Sequence, residues 1–303
     1  MNLIKYKAFY LIFSVALMIP GLFFILRDGL NLGIDFTGGS TSRYSFTSEI
    51  PTKQVLELYV KNGAKEVETS TTGKTLIVRS RPIDTSTNAK ISKEIATKYK
   101  GSKIESFETV GPAVGAETTK KAFLAVLVSS LAIMLYMAYS FRNIPRPYSS
   151  LRFGVSAILA MLHDAFIVVG IFAILGHYLN VEIDALFITA LLTILGFSVH
   201  DTIVVFDRIR ENLSKLPKTY NFEAIANYSM IETLNRSIIT SLTVLITLFS
   251  LLVLGGDSIR YFVLALLIGI LSGTYSSIFT ATPILVYWEN FSAKRAKNRK
   301  ISR

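Results

Sequence analysis

The sequence predicts a polytopic α-helical membrane protein with six transmembrane helices and one folded α+β domain inserted between the first two. Three observations predict it. The 303 residues are 51% hydrophobic and only 17% charged, with a mean hydropathy of +0.46, too apolar for a chain that keeps its surface in water. Six apolar stretches reach the length of about 20 residues that an α-helix needs to cross the hydrocarbon. Between the first and second of them the pattern turns alternating and mixed in charge, over a length too great for a bare loop.

The six spans are read as residues 8–26, 122–141, 151–175, 183–206, 238–254 and 261–287. The first reads as a retained anchor, because Pro20-Gly21 is followed by no small-residue cleavage site and the apolar run continues through Phe23, Phe24 and Leu26. Cations in short loops resist translocation, so basic clusters mark the inner side. Lys5 and Lys7 put the N-terminus inside. Alternation then puts Arg142, Arg146 and Arg152 inside, with Arg208, Arg210, Lys215 and Lys218, and finally Lys294, Arg295, Lys297, Arg299 and Lys300. The opposite short loops, 176–182 and 255–260, hold only Arg260, although Lys120 and Lys121 fall on the outer side. Both termini are expected in the cytoplasm. The organisation is then an N-terminus and first span at 1–29, an outer domain at 30–118, five further spans at 119–290 and a basic tail at 291–303.

Within the outer domain, residues 40–46 read as a strand and 52–62 as a helix opened by Pro51, with Val55, Leu56, Tyr59 and Val60 on one face. Strands at 65–69 and 75–79 join through Thr72-Gly73-Lys74, a helix follows near 88–99, and a last strand runs over 103–110. The order βαββαβ is the ferredoxin-like pattern. Gly73-Lys74-Thr75 echoes the end of a phosphate-binding loop, but the glycine needed five residues earlier is Glu68 and a strand follows, so it reads as a turn.

Composition also excludes chemistry. With no cysteine there is no disulfide, thiol nucleophile or cysteine-ligated zinc. No Ser/His/Asp arrangement or metal-ligand spacing stands out, so neither enzymatic activity nor a metal or other cofactor is expected. The net charge of +11 does not point to nucleic acid, because Lys and Arg flank apolar runs instead of alternating with exposed aromatics. The solvent for most of this surface is membrane lipid.

An ionisable side chain at membrane depth costs roughly 2.5 to 3.5 kcal/mol on insertion scales, which makes each one a functional candidate. The third span carries His163-Asp164. The fourth carries His200-Asp201-Thr202, about 9 Å before Asp207 along a helix. The fifth opens with Asn235-Arg236 and continues through Thr240, Ser241, Thr243 and Thr247. A low dielectric favours the neutral acid and a neighbouring guanidinium favours the carboxylate, so Asp201 with Arg236 suits an ion relay that alternates between protonated and paired states. The competing reading makes Asp201 and His163 packing groups held by ordinary polar partners. In the sixth span Gly269, Gly273 and Ser277 recur every four residues, the spacing of close helix packing, with Ser272, Ser276 and Thr280 on an adjacent stripe. The segment 221–234 alternates apolar with polar residues and reads as a short helix along the cytoplasmic interface.

Three strings carry a family resemblance: Gly33-Ile34-Asp35-Phe36-Thr37-Gly38-Gly39 after the first span, Glu108-Thr109-Val110-Gly111-Pro112 before the second, and Asp201-Thr202-Ile203-Val204-Val205-Phe206-Asp207-Arg208-Ile209-Arg210-Glu211-Asn212 in the fourth. In order and over nearly the whole chain they resemble the SecF members of the SecD/SecF family, relatives of the resistance-nodulation-division transporters. The resemblance implies a subunit of the bacterial cytoplasmic membrane that uses the proton-motive force to assist translocation of precursor proteins through SecYEG. It implies SecD as partner and supplier of a second helix set, with YajC and YidC as further neighbours. It assigns proton movement to Asp201 and Arg236, to which His200, His163 and Asp164 are added as relay candidates. It makes Gly33, Asp35, Gly38 and Gly39 the hinge of a moving outer domain. His200 departs from the family's usual asparagine. A small-molecule efflux subunit and a passive scaffold of the channel are the competing functions.

Overall fold

The computed structural model describes residues 2–301 apart from Ser48, Arg146 and Lys218. Two of the basic residues read as inner, Arg146 and Lys218, therefore lie outside the described residues, as do the side chains of Lys297, Arg299 and Lys300. In chain order the elements are α1 (Lys7–Asp28), α2 (Ile34–Thr37), β1 (Gly39–Ser45), α3 (Thr52–Lys61), β2 (Glu68–Thr72), β3 (Thr75–Ser80), α4 (Thr85–Lys98) and β4 (Lys103–Val110). Then come α5 (Pro112–Ser140), α6 (Ser150–Leu179), α7 (Ala185–Lys215), α8 (Phe222–Leu254), α9 (Arg260–Ser276), a π-helical turn (Ser277–Ala281) and α10 (Thr282–Ile301). Among the described residues, six helical stretches are long and apolar enough to cross a membrane.

The chain forms two compact units. A helical unit comprises Met1–Gly29, Val126–Ile174 and Leu186–Arg303, and an α/β unit comprises Leu30–Ala125 with Leu175–Ala185. The second is larger than the inserted stretch read from sequence, since it takes in the first turns of α5 and the connector between α6 and α7.

In the α/β unit four antiparallel strands lie in the order β2-β3-β1-β4. The alternation of β3 buries Leu76, Val78 and Ser80, and Leu76 and Val78 join Tyr44, Val55, Tyr59, Ile91 and Ile95 in one core. A polar knot sits inside it: the Tyr44 and Tyr59 hydroxyls are 2.8 Å apart, and Asn88 Oδ1 accepts from Ser42 at 3.0 Å. Burial pushes the Tyr59 phenol pKa up, which keeps it a neutral hydroxyl in this knot. Two expectations shift. The strand expected at 65–69 begins at Glu68, because Glu66 has φ +53°, a conformation that breaks an extended run. On α3 the inner face is set by Val55 and Tyr59 with Leu58, whereas Val60 is 55% exposed. The Gly73-Lys74 pair is the tip of the β2–β3 hairpin, with Thr72 opposite Thr75.

The helical unit is packed about Phe141, Phe153, Phe206 and Phe222, whose rings meet edge-on or tilted, 5.4 Å apart for Phe153 and Phe206. Segment 221–234 is not a separate interfacial helix. Asn221 caps it through the Ala224 N–H at 2.8 Å, and it continues without a break into the fifth span as α8. At 33 residues, α8 is about 50 Å long, more than the hydrocarbon thickness of about 30 Å. Its excess length is packed in protein: Glu223 pairs with Lys7 at 2.7 Å and accepts from Asn290 at 3.1 Å, and Asn227 Oδ1 accepts from the Leu3 N–H at 2.7 Å. The basic tail is likewise helical, as the end of α10.

Truncating Leu76, fully buried in the α/β core, is expected to cost about 2 to 5 kcal/mol. Val60→Ala on the exposed face is expected to fall within about 0.5 kcal/mol of wild type. Protease resistance of this unit in membranes containing each variant, titrated with urea, measures both.

Candidate functional site

Among the described residues three carboxylates are buried in the helical unit: Glu289 pairs with Arg152, and hydroxyl groups hold Asp164 and Asp201. Asp164 on α6 is fully buried. It accepts hydrogen bonds from Ser198 of α7 at 2.6 Å, Ser272 of α9 at 2.7 Å and Ser276 of α9 at 2.5 Å. The adjacent His163, 7% exposed, places Nδ1 3.1 Å from Asp164 Oδ1, and its Nε2 is buried without a partner. Asp201 on α7 accepts from Ser237 of α8 at 2.7 Å and from Ser277 at 2.5 Å.

Local sequence explains the reach of these groups. Ser198 and Asp201 are three residues apart and share a face of α7, while Ser272 and Ser276 are one turn apart on α9. Ser276 and Ser277 are neighbours, so they project about 100° apart and address different helices, one reaching Asp164 and the other Asp201. The π turn begins at Ser277. Pro283 follows it, and a proline ring cannot continue the α-helical bonding pattern, a mismatch that a widened turn absorbs. Gly269 and Gly273 set how near α9 comes to α7. A Cβ on Gly269 would stand 2.3 Å from Ile194 Cδ1, and one on Gly273 would stand 3.3 Å from Ser198 Cα and 3.7 Å from Asp164 Oδ2.

Arg236 is not beside Asp201. Its neighbour Ser237 takes that place, and Arg236 lies on an exposed face of α8, lining a cleft of about 610 Å³ with Asp207, Arg208, Glu211 and Glu232. No ion pair joins Arg236 to a carboxylate among the described residues. Glu232 is taken by Arg208, which grips it through Nε at 2.6 Å and Nη2 at 2.7 Å. His200 is exposed on α7. The sequence thus groups five polar residues of which the structure brings His163 to Asp164, gives Asp201 its own serine pair, and leaves Arg236 and His200 facing outward.

The glycine-rich string occupies the base of the α/β unit. Gly33 donates its N–H to Ile183 O at 2.8 Å, and Ile183 N–H returns a bond to Asn31 O at 2.8 Å. Asp35 Oδ2 accepts from the N–H of Ala185, the first residue of α7, at 2.9 Å. A carboxylate suits that position, where helix N–H groups lack partners and the dipole is positive. Arg79 of β3 pairs with Glu182 in the same connector. Gly38 has φ +71° and Gly39 φ +137°. A side chain on either meets backbone, with Pro112 Cα 2.9 Å from a Cβ at Gly38 and Ser80 O 2.9 Å from one at Gly39. The string therefore meets the Gly111-Pro112 pair, and Gly39 is opposite Val110 in the β1–β4 register.

A family model described as protein export membrane protein SecD/SecF, C-terminal, matches residues 90–291. A second, the SecD/SecF GG motif, matches residues 23–49. The chain belongs to the SecD/SecF family. It is 45% identical over 297 residues to the protein translocase subunit SecF of Thermobaculum terrenum, covering 93% of this chain and 92% of that protein. It is 36% identical over 295 residues to the protein translocase subunit SecDF of Bacillus subtilis, covering 95% of this chain and 38% of that longer protein. Its fold is similar to the crystal structure of SecDF from Thermus thermophilus, with a TM-score of 0.83 and 34% identity over 96% of this chain and 39% of that one.

In this SecD/SecF chain the serines Ser198 and Ser237 are site residues that sequence reasoning missed. Ser198 was readable as the residue one turn before Asp201, and Ser237 as the hydroxyl beside Arg236. Gly115 was missed too: a Cβ there would stand 2.8 Å from Gly38 N. Since backbone atoms cannot yield as a flexible side chain can, Gly38→Ala is expected to destabilise more than Gly63→Ala. Gly63 also has positive φ but nothing within 4 Å of an added Cβ. The strain of positive φ alone is about 1 to 2 kcal/mol, and the denaturation midpoints of the two full-length variants measure the excess at Gly38.

Proposed function

We propose that the chain is the SecF half of a SecD–SecF assembly that uses the proton-motive force to assist the movement of precursor proteins through SecYEG. In this reading it sits in the bacterial cytoplasmic membrane with both termini in the cytoplasm. The α/β unit is then an extracytoplasmic ferredoxin-like domain, an assignment supported by the chain order βαββαβ and the sheet order β2-β3-β1-β4. YajC and YidC are the neighbours such an assembly meets beside the channel. Its work is conformational, with no covalent step.

One observation carries the reading: Asp201 is buried in a membrane-length helix, and among the described residues its hydrogen-bonding partners are serine hydroxyls. Hydroxyls satisfy the hydrogen-bonding capacity of a carboxylate but not its charge, and an unneutralised charge at that depth is costly enough to require a cation or a proton. A group whose charge changes as it loads and unloads gives two states of different energy to the helices around it. The geometry also offers a route for that change. The helix that carries Asp201 begins at the residue whose N–H binds Asp35 of the glycine-rich string. In this proposal Gly33, Asp35, Gly38 and Gly39 transmit movement of α7 to the α/β domain, and Arg236, on the helix that supplies Ser237, swings to Asp201 in the state that has released its proton.

The test is the release rate of a secreted precursor in cells lacking their own copy, complemented by wild type or Asp201→Asn at equal abundance. Wild type is expected to restore gradient-dependent release and Asp201→Asn to reduce that component at least about tenfold, the scale of losing a proton-transfer group. Equal rescue by both makes Asp201 a packing group and the chain a passive partner of the channel.

A further inference from the structure

We infer that His163 and Asp164 form a second proton-loading site, separate from Asp201, at which the proton enters and leaves through Nε2 of His163. The inference rests on the gradient-driven reading above and adds a second carrier of stated chemistry, a proton.

His163 Nδ1 faces Asp164 Oδ1 at 3.1 Å, and Nε2 of the same ring is buried with no hydrogen-bonding partner among the described residues. Three placements of protons satisfy the contact between the two residues. With a neutral ring protonated at Nδ1, the ring donates to Oδ1, Nε2 is a bare acceptor and the pair carries one negative charge. With both nitrogens protonated, the pair is neutral and Nε2–H is a donor without an acceptor. With the carboxyl protonated, Oδ1–H donates to Nδ1 and the ring proton is on Nε2, again without an acceptor. The second and third placements hold the same number of protons, and each holds one more than the first. Uptake of one proton at Nε2 therefore converts the first to the second, and transfer of the Nδ1 proton to Oδ1 converts the second to the third. No electron moves, and the charge of the buried pair goes from minus one to zero.

In every placement Nε2 is the open end of the pair, so it is where a proton is exchanged with water when the helices part. The rest of the cradle is closed. Ser198, Ser272 and Ser276 already donate to Asp164 at 2.5 to 2.7 Å, so the carboxylate has no need of the imidazole as a mere anchor. The hydroxyls satisfy the hydrogen-bonding capacity of the carboxylate but not its charge, which a proton taken up by the pair neutralises. The titratable groups around the pair are few. Asp201 is one turn beyond Ser198 on α7, while α9 and the π turn bring only Ser272, Ser276 and Ser277 to the two carboxylates. The Tyr275 hydroxyl is turned to Tyr10 O, and Arg236 and His200 face outward. Because Ser276 and Ser277 are consecutive, the hydroxyl that holds Asp164 Oδ2 adjoins the one that holds Asp201 Oδ2. The two sites are thereby linked through a single backbone step.

The chain has three histidines, His163, His177 and His200, and that number makes a direct measurement possible. In nitrogen-15 histidine spectra of the full chain with its SecD partner in lipid, His163→Gln identifies the resonance. The His163 ring signals are expected to report uptake of a proton at Nε2 when an acid gradient is imposed across the membrane, and Asp164→Asn is expected to abolish that response. In sealed vesicles His163→Gln is expected to lower proton flux at least about tenfold, while Ser272→Ala lowers it less. A ring that keeps one protonation state under the gradient, or wild-type flux in His163→Gln, overturns the inference. So does flux driven by a sodium gradient at constant pH. If His163→Gln does not accumulate, the response of the wild-type ring to the gradient and its loss in Asp164→Asn still decide the matter. Failure of Asp201→Asn to affect precursor release would sink the transport reading and leave proton uptake at His163 as an independent result.

Discussion

Two buried carboxylates without a Lys or Arg partner, Asp164 and Asp201, are the constraint around which the helical unit is built. Apolar packing alone would reject them, and each stays only because several hydroxyl groups converge on it. That convergence dictates much else. Asp164 draws donors from α7 and α9, and Asp201 draws them from α8 and the π turn, so four elements must approach within hydrogen-bond distance of two points. Gly269 and Gly273 are the cost of the approach, since any side chain there would push α9 off Ile194 and Ser198. Serine is the donor throughout for a related reason: it is the smallest residue that still carries a hydroxyl. Within a helix it can also bond its own preceding turn, as Ser276 does to Gly273 O and Ser277 to Thr274 O. A hydroxyl with a local alternative can leave the carboxylate without being stranded.

A different economy holds at the other unit. There the backbone itself is brought into contact, with Gly38 against Pro112, Gly39 against Ser80 O and Gly115 against Gly38 N. Such contacts leave no room for rotamers to adjust, so the glycine-rich string is stiff where it packs. Any hinge action must be a change of backbone angles at Gly38 and Gly39, where φ is already positive, and not a loosening of side chains. Polar contacts fix the connector between α6 and α7 to the same base: Gly33 and Asn31 exchange bonds with Ile183, and Arg79 grips Glu182.

Much of the fold was legible in the sequence because it rests on periodicity. Residues 75–80 alternate over the length of β3, and the six apolar runs coincide with helices of membrane length. Legibility failed where one residue overrides a pattern. Glu66 at positive φ delays β2, and nothing in the composition of Lys65 to Thr69 announces it. The amphipathic look of 221–234 is real, but its polar face is covered by protein through Glu223 and Asn227, so the helix runs on instead of lying in the interface. At the site the expensive groups were visible, since His163, Asp164 and Asp201 are ionisable residues in apolar runs. Their partners were not, because a serine in a membrane helix is common and only tertiary contact selects Ser198 and Ser237 from the others. Charge complementarity pointed to Arg236 for Asp201. The structure shows the adjacent residue in that role, a difference of one position that turns the side chain by about 100° around α8.

That one-residue difference bears on how α8 works. Ser237 is inside and Arg236 outside in the same turn, about 100° apart around the α8 axis. The helix can rotate without losing its backbone bonds, which are all internal. The restraints on it are instead side-chain contacts, and they are unevenly distributed. The first turns of α8 are held by Lys7, Asn290 and Arg208, while the stretch beyond Ser237 presents Ile238, Ile239, Leu242, Ile246 and Phe249 on an exposed apolar face. Beyond Ser237 the polar restraint is lighter, with Ser241 accepting from Thr274 of α9 at 2.6 Å, while the ties of Glu223, Asn227 and Glu232 gather at the other end. Since Arg208 takes Glu232, Arg236 has no ion-pair partner among the described residues, so α8 carries an unpaired guanidinium one position from the serine that holds Asp201.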